Sequence, residues 1–145
     1  MSGSPCIVNT EAKTAVAAMP KQVLIIEDDP AILGILADKI AEAGFSVLKA
    51  QDGQHGLALA LEVLPDLILL DLLIPKLSGL DVLEKLRANT RSSHIPVLVL
   101  SNLNDDESLN KTLARNNASL IIKSNTPLES IVDKVSAILL DASAQ

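Results

Sequence analysis

The stretch DLILLDLLIPKLSG, residues 66–79, sets a charged side chain at the end of an apolar run. From Leu67 to Ile74 every residue is apolar except Asp71. A short run of this kind is typical of a buried β-strand, and an ionised carboxylate inside an apolar core is costly unless something compensates it. The stretch therefore predicts a buried strand with Asp71 at its carboxyl end.

Similar short apolar runs alternate with longer amphipathic segments from Lys21 onward. The predicted strands are residues 22–26, 46–50, 66–71, 96–101 and 119–123, and the predicted helices lie near 30–43, 53–63, 79–90, 105–115 and 127–141. Parallel strands need crossover connections, and strands buried on both faces read as continuous apolar runs. The alternation predicts a doubly wound α/β domain over residues 21–141, with a five-stranded parallel sheet flanked by five helices. Residues 1–20 are predicted to be a flexible N-terminal tail, and residues 142–145 a C-terminal tail.

Local signals predict three helix ends. Asp29 before Pro30 is typical of an N-cap followed by proline at the first helical position. Gly44 stands where a helix C-terminus needs a left-handed residue. Thr126, Pro127 and Glu129 match a capping box at the start of the last helix.

Composition argues against several classes of protein. The chain has 145 residues, 12 of them basic and 18 acidic, with no basic cluster, so direct nucleic-acid binding and binding to an anionic membrane are not expected. The single cysteine, Cys6, rules out an intrachain disulfide. No run reaches the roughly 18 apolar residues of a transmembrane helix, and no signal-peptide pattern is present. A cytoplasmic location is the expectation.

Polar residues stand at the carboxyl ends of four predicted strands: Glu27, Asp28 and Asp29 after the first, Asp71 in the third, Ser101 in the fourth and Lys123 in the fifth. Open α/β sheets bind ligands at this edge. Neighbouring carboxylates repel one another, and Mg²⁺, which takes one or two carboxylates together with phosphate oxygens, would relieve that repulsion. A carboxylate can also attack phosphorus, while a lysine holds the phosphate. Together these groups predict Mg²⁺-dependent phosphoryl transfer onto Asp71.

Each residue also has a simpler interpretation. An acidic run before proline is typical of a helix N-cap, and Asp29 is better placed to cap than to bind metal. A lone Asp, Ser or Lys at a strand end is usually a solvated turn residue, so only the combination favours a site. His55 and His94 lack partners at a useful spacing and are predicted to be solvated.

The chain resembles the receiver domain of bacterial two-component response regulators. The matching motifs are VLIIEDD (23–29), LILLDLLIPKLSGLDVL (67–83), PVLVLS (96–101) and LIIKS (120–124). The resemblance implies a flavodoxin-like fold with strand order 2-1-3-4-5. Since the chain ends at Gln145, a stand-alone, chemotaxis-regulator-like receiver is expected, although a fragment of a longer regulator fits the sequence equally.

The resemblance also implies a role for each acidic residue. Asp71 would accept the phosphoryl group. Asp28 and Asp71 would bind Mg²⁺ directly, with the main-chain carbonyl of Leu73 as a third protein ligand. Glu27 would act through water.

The same resemblance implies partners and an output. The donor would be a phosphohistidine on a sensor histidine kinase or a histidine phosphotransfer protein. Lys123 would pair with the phosphoryl oxygens, and the Ser101 hydroxyl would turn toward them. This would repack the face made by the fourth helix, the fifth strand and the fifth helix, which would contact a downstream protein. The domain would be primarily a signalling switch that catalyses its own phosphorylation and dephosphorylation.

Three positions depart from the family pattern. Leu120 replaces the usual aromatic residue, Ser124 the usual proline after the lysine, and Asn102 a usually small residue. We expect these changes to affect the output more than phosphorylation, with aliphatic repacking in place of an aromatic switch.

Other classes of function fit the residues less well. The second hypothesis is a receiver-like interaction module that acts without phosphorylation, and retention of the acidic, hydroxyl and lysine positions argues against it. A haloacid-dehalogenase-like phosphatase would need an aspartate where Leu73 stands. A P-loop nucleotide hydrolase would need a Gly-rich phosphate loop, which the sequence lacks.

Overall fold

The computed structural model describes residues 20–72, 74, 76–101, 107–116, 118–122 and 126–144. Strands and helices alternate along these residues as β1 (Gln22–Ile26), α1 (Pro30–Glu42), β2 (Ser46–Ala50), α2 (Gly53–Val63), β3 (Leu67–Asp71), α3 (Gly79–Ala88), β4 (Val97–Ser101), α4 (Glu107–Arg115), β5 (Ala118–Ile122) and α5 (Leu128–Ala144). All strand pairs are parallel, in the order β2-β1-β3-β4-β5. The predicted five-stranded sheet, its order and its five flanking helices are confirmed.

Several predictions concern residues outside the described ones. These are residues 1–19 of the N-terminal tail, together with Leu73, Asn102, Lys123 and Ser124. Within the described ranges, no helix has both the length and the apolar character that crossing a bilayer requires.

The sheet separates two apolar layers, because successive side chains of a strand point to opposite faces. Leu24, Leu70 and Val99 pack with residues of α2, α3 and α4 on one face. Ile25 and Leu69 pack with residues of α1 and α5 on the other. The central strands are therefore buried on both sides, which explains their continuous apolar sequence.

The predicted ends of α1 are confirmed. The Asp29 carboxylate accepts hydrogen bonds from the main-chain N–H groups of Ala31 (2.9 Å) and Ile32 (3.4 Å), as an N-cap does. Gly44, just past the helix, has a φ of 103°. Only glycine adopts this left-handed backbone without a steric cost.

The later helices differ from their predicted bounds. α3 ends at Ala88, before residue 90, because Asn89 is extended and the Ser92 hydroxyl donates to the carbonyl of Leu86 at 2.7 Å. α5 begins at Leu128, since the Pro127 carbonyl is the first to accept an N–H from a residue four positions on. It continues to Ala144, so residues 142–144 are helical where a tail was expected.

Candidate functional site

Three parallel strands end side by side at one edge of the sheet. Ile26 of β1 lies beside Leu70 of β3, and Asp71 of β3 lies beside Leu100 of β4. The residues that follow these pairs, Glu27 and Ser101, therefore reach the same edge as Asp71. The sequence could predict this meeting because parallel strands share the direction in which they end.

Three carboxylates meet at this edge. Glu27, Asp28 and Asp71 each offer an oxygen, and these oxygens lie within 4.8 Å of one another. Glu27 is 1% exposed and Asp71 6% exposed, whereas Asp28 faces solvent. Among the described residues this is the one group of three or more such side chains with that spacing. A set of carboxylate oxygens with one open side suits a hard cation that keeps several waters, as Mg²⁺ does.

The three acidic residues after β1 make different contacts. The main-chain N–H of Glu27 donates to the carbonyl of Ala50 at 3.0 Å, which continues the pairing of β1 with β2. The Glu27 carboxylate accepts from the N–H of Asp29 at 3.3 Å. Asp29 itself caps α1. Its predicted role as a cap is confirmed, and Glu27 and Asp28 form the acidic group with Asp71.

The main chain after Asp71 is held against the start of α3. The N–H of Gly79 donates to the carbonyl of Leu72 at 3.1 Å, and the N–H of Leu72 donates to Leu100 at 3.2 Å. A Cβ built on Gly79 would come within 2.6 Å of the Asp71 carbonyl oxygen and 2.7 Å of the Leu72 Cα. Glycine at position 79 thus lets α3 begin directly against the end of β3.

Ser101 is the last residue of β4, is 2% exposed and pairs with Ile122 of β5. The structure thus gathers Glu27, Asp28 and Asp71 and sets Ser101 at the end of the adjacent strand. The other two predicted site residues, Lys123 and Leu73, lie outside the described residues. His55 and His94 are exposed, as predicted.

A further contact at this edge involves the first turn of α2. Lys76, in the loop after β3, places its ammonium 3.8 Å from the carboxylate of Asp52, which caps α2. The hydrogen bond from the N–H of His55 holds the pKa of Asp52 below its ordinary 3.8, and Lys76 lowers that pKa further. The Asp-Gly pair at 52–53 signals a turn in the sequence, but no local pattern reveals that a loop from β3 rests on it.

Comparison with known proteins gives matches over most of the chain. The family described as the response regulator receiver domain matches residues 23–136. The DNA-binding dual master transcriptional regulator RpaA of Synechocystis sp. is 47% identical over 85 residues, which are 59% of this chain and 35% of RpaA. The polar-differentiation response regulator DivK of Brucella anthropi is 37% identical over 83 residues, covering 57% of this chain and 68% of DivK. The matched segment thus spans only about a third of RpaA.

Solved structures agree with this assignment. The receiver domain of Francisella response regulator 1452 has a TM-score of 0.77 at 25% identity, covering 84% of this chain and 98% of that one. The chemotaxis response regulator CheY4 of Vibrio cholerae, at 22% identity, has a TM-score of 0.75 over 83% of this chain and 99% of CheY4, and shows the fold. Domains of this family generally act as phosphorylation-dependent switches and bind Mg²⁺ at an acidic pocket. The chain belongs to the response regulator receiver domain family.

Proposed function

We propose that this domain accepts a phosphoryl group on Asp71 in a Mg²⁺-dependent reaction and changes a protein-binding face in response. The observation that supports this most directly is the group of three carboxylates at the ends of β1 and β3. Its donor set fits a divalent cation, and one of its two buried members, Asp71, is the position that the family motif marks as the acceptor.

Asp28 and Asp71 would hold the cation, with the carbonyl of Leu73 as a third ligand and Glu27 acting through water. When bound, Mg²⁺ would neutralise charge on the carboxylates and on the oxygens of an incoming phosphoryl group. The N–H of Asp29 fixes the Glu27 carboxylate, and the pairing of β3 with β4 fixes the main chain at Asp71. The Glu27 carboxylate and the main chain at Asp71 are therefore positioned before any ligand arrives, which lowers the entropic cost of the reaction.

In the transfer, an Asp71 oxygen bonds to phosphorus while the bond from phosphorus to the imidazole nitrogen of the donor phosphohistidine breaks. The electron pair of that bond passes to the nitrogen, and the released imidazole takes up a proton from solvent. Lys123 would pair with the phosphoryl oxygens. The donor would belong to a sensor histidine kinase or a histidine phosphotransfer protein.

The product would add negative charge next to Ser101, and the Ser101 hydroxyl would donate a hydrogen bond to a phosphoryl oxygen. Ser101 pairs with β5, so its movement would reach the face made by α4, β5 and α5. Leu120 of β5 is half-buried against the apolar layer of α2, α3 and α4. Aliphatic repacking there would create the surface that a downstream protein binds.

Acetyl phosphate with Mg²⁺, followed by intact-mass spectrometry, tests this proposal. The wild-type chain is expected to gain one phosphoryl group, whereas Asp71→Asn, or the wild type with the metal chelated, gains none. Asp38→Asn is the matched control, since Asp38 is an exposed aspartate on α1. A wild-type chain that gains no phosphate would contradict the switch and support a phosphorylation-independent interaction module.

A further inference from the structure

In the loop between β3 and α3, Lys76 and Leu77 lie against the start of α2. A Cβ built on Gly53, the first residue of α2, would fall on the main-chain oxygen of Leu77 and within 2.7 Å of its carbonyl carbon and its Cβ. Main-chain atoms cannot relieve a clash by a change of rotamer, as the end of a side chain can. The loop can occupy its position only because residue 53 has no side chain.

A second contact joins the same loop to the same turn. Lys76 adopts a φ of 72°, which is unusual for a residue with a side chain, and its ammonium lies 3.8 Å from the Asp52 carboxylate. Because the Lys76 side chain is 61% exposed, this ion pair contributes little by itself. It shows, however, that residues 76 and 77 both contact the start of α2.

Two other glycines provide contrasts. A Cβ on Gly56, one turn further along α2, would meet only side-chain atoms of Ile26. A Cβ on Gly34, inside α1, would meet nothing within 4 Å. Gly53 is thus distinguished from both by contact with the main chain of the loop after Asp71.

We propose that Gly53 is a positioning residue for the metal and phosphoryl site. The loop after β3 packs against the start of α2. The absence of a side chain at position 53 determines how closely the loop approaches α2. The loop is fixed at its ends by Asp71 in β3 and by Gly79 in α3. A methyl group at position 53 must therefore displace Leu77 and the part of the loop that carries it, and this loop leads directly from Asp71. This inference rests on the proposed function.

The test compares Gly53→Ala and Gly34→Ala in the full chain. Mg²⁺ affinity is measured by isothermal titration calorimetry, the rate of phosphorylation by acetyl phosphate from intact mass, and folding by urea denaturation followed by circular dichroism. Gly53→Ala is expected to weaken Mg²⁺ binding about tenfold and to slow phosphorylation by about ten- to a hundredfold, since a displacement near 1 Å suffices for such losses. Gly34→Ala is expected to match the wild type in both Mg²⁺ affinity and phosphorylation rate.

A Gly53→Ala variant that is folded and binds Mg²⁺ as the wild type does would overturn the proposal. If the wild type itself neither binds Mg²⁺ nor accepts phosphate, the proposed function fails instead. A merely structural role for Gly53 would lower the urea midpoint and leave the Mg²⁺ affinity of the folded protein unchanged.

If Gly53→Ala does not fold, a second pair of variants, at Lys76 in the loop, tests the same contact between the loop and α2. Lys76→Gly accommodates the φ of 72°, whereas Lys76→Pro fixes φ near −65° and forces the loop away from α2. Lys76→Pro is expected to weaken Mg²⁺ binding at least tenfold relative to Lys76→Gly. Equal affinities in this pair would refute the proposal.

Discussion

Arg87, the penultimate residue of α3, stabilises the chain at the edge where β4 begins. Its Nε donates to the carbonyl of Asn116 at 2.6 Å, and its Nη1 donates to the carbonyls of Ile95 (2.8 Å) and Ser93 (3.1 Å). Burial lowers the pKa of Arg87 from its ordinary value, but the guanidinium remains charged at neutral pH. One side chain thus joins the end of α3, the turn after α4 and the segment that leads into β4.

Arg87→Met is expected to lower the free energy of unfolding by about 2 kcal/mol, because charged hydrogen bonds are lost and carbonyl groups remain without a donor. Urea denaturation followed by circular dichroism measures the change. Arg91→Met, at an exposed position three residues past the end of α3, is the control and should stay within about 0.5 kcal/mol of the wild type. Equal losses in the two variants would show that the hydrogen bonds of Arg87 do not contribute to stability.

Asp52 gives a prediction about pH. The N–H of His55 holds the pKa of Asp52 below 3.8 in the folded chain, so the ionised cap contributes stability above the unfolded pKa and loses it as pH falls through the folded value. Asn is also a good cap but carries no charge. The wild type should therefore have a higher thermal midpoint than Asp52→Asn at neutral pH, and this advantage should shrink below about pH 4. An advantage that is the same at every pH would contradict this assignment.

At the scale of elements, continuous apolar runs predicted the strands closely. β1 and β2 have the predicted bounds, and each of the other strands differs by no more than one residue at either end. The helix ends that depend on neighbouring residues, such as the N-cap Asp29, were also predictable. The end of α3 was not, because it depends on the Ser92 hydroxyl, which returns to the helix from the following turn.

Gly34 and Gly44 show how backbone conformation, apart from steric space, decides the effect of adding a side chain. A Cβ meets nothing within 4 Å at either Gly34 or Gly44, but only Gly44 has a positive φ, of 103°. Gly34→Ala is expected to raise the free energy of unfolding by about 0.5–1 kcal/mol because it lies inside α1. Gly44→Ala is expected to lower it by about 1 kcal/mol because of the left-handed backbone. Urea denaturation of both variants measures these changes, and shifts of the same sign would contradict the explanation.

At the scale of the whole molecule, the sequence predicted the sheet, its order and the edge where the acidic residues meet. The parallel sheet follows from the alternation of strands and helices, and the shared edge from the direction of parallel strands, whereas the strand order was implied by the resemblance to receiver domains. The sequence could not predict that the loop after Asp71 packs against Gly53. Gly53 and Leu77 are 24 residues apart in sequence and come into contact only in the folded chain. The sequence pattern predicted which edge carries the three carboxylates, whereas the contact of Leu77 with Gly53 depends on tertiary packing.

The acidic group should also affect the stability of the whole chain. We expect Mg²⁺ to bind only the folded site, so a concentration one hundred times its dissociation constant should stabilise the wild type by about 2.7 kcal/mol. Asp28→Asn removes one of three neighbouring carboxylates, and it should be more stable than the wild type without Mg²⁺ and gain little when Mg²⁺ is added. Thermal denaturation with and without Mg²⁺ measures both effects, and a variant that gains as much as the wild type would contradict them.

Paramagnetic broadening of amide signals by Mn²⁺, which takes the same oxygen ligands as Mg²⁺, tests whether Glu27, Asp28 and Asp71 form one site for a divalent cation. At low Mn²⁺, the amide signals of Asp28 and Leu72 should broaden first, those of Asp66 and Ile95 at the opposite edge of the sheet should persist, and excess Mg²⁺ should restore the lost signals. Broadening spread evenly over the exposed carboxylates of the chain, and unchanged in Asp28→Asn, would show that these three residues do not form a cation site.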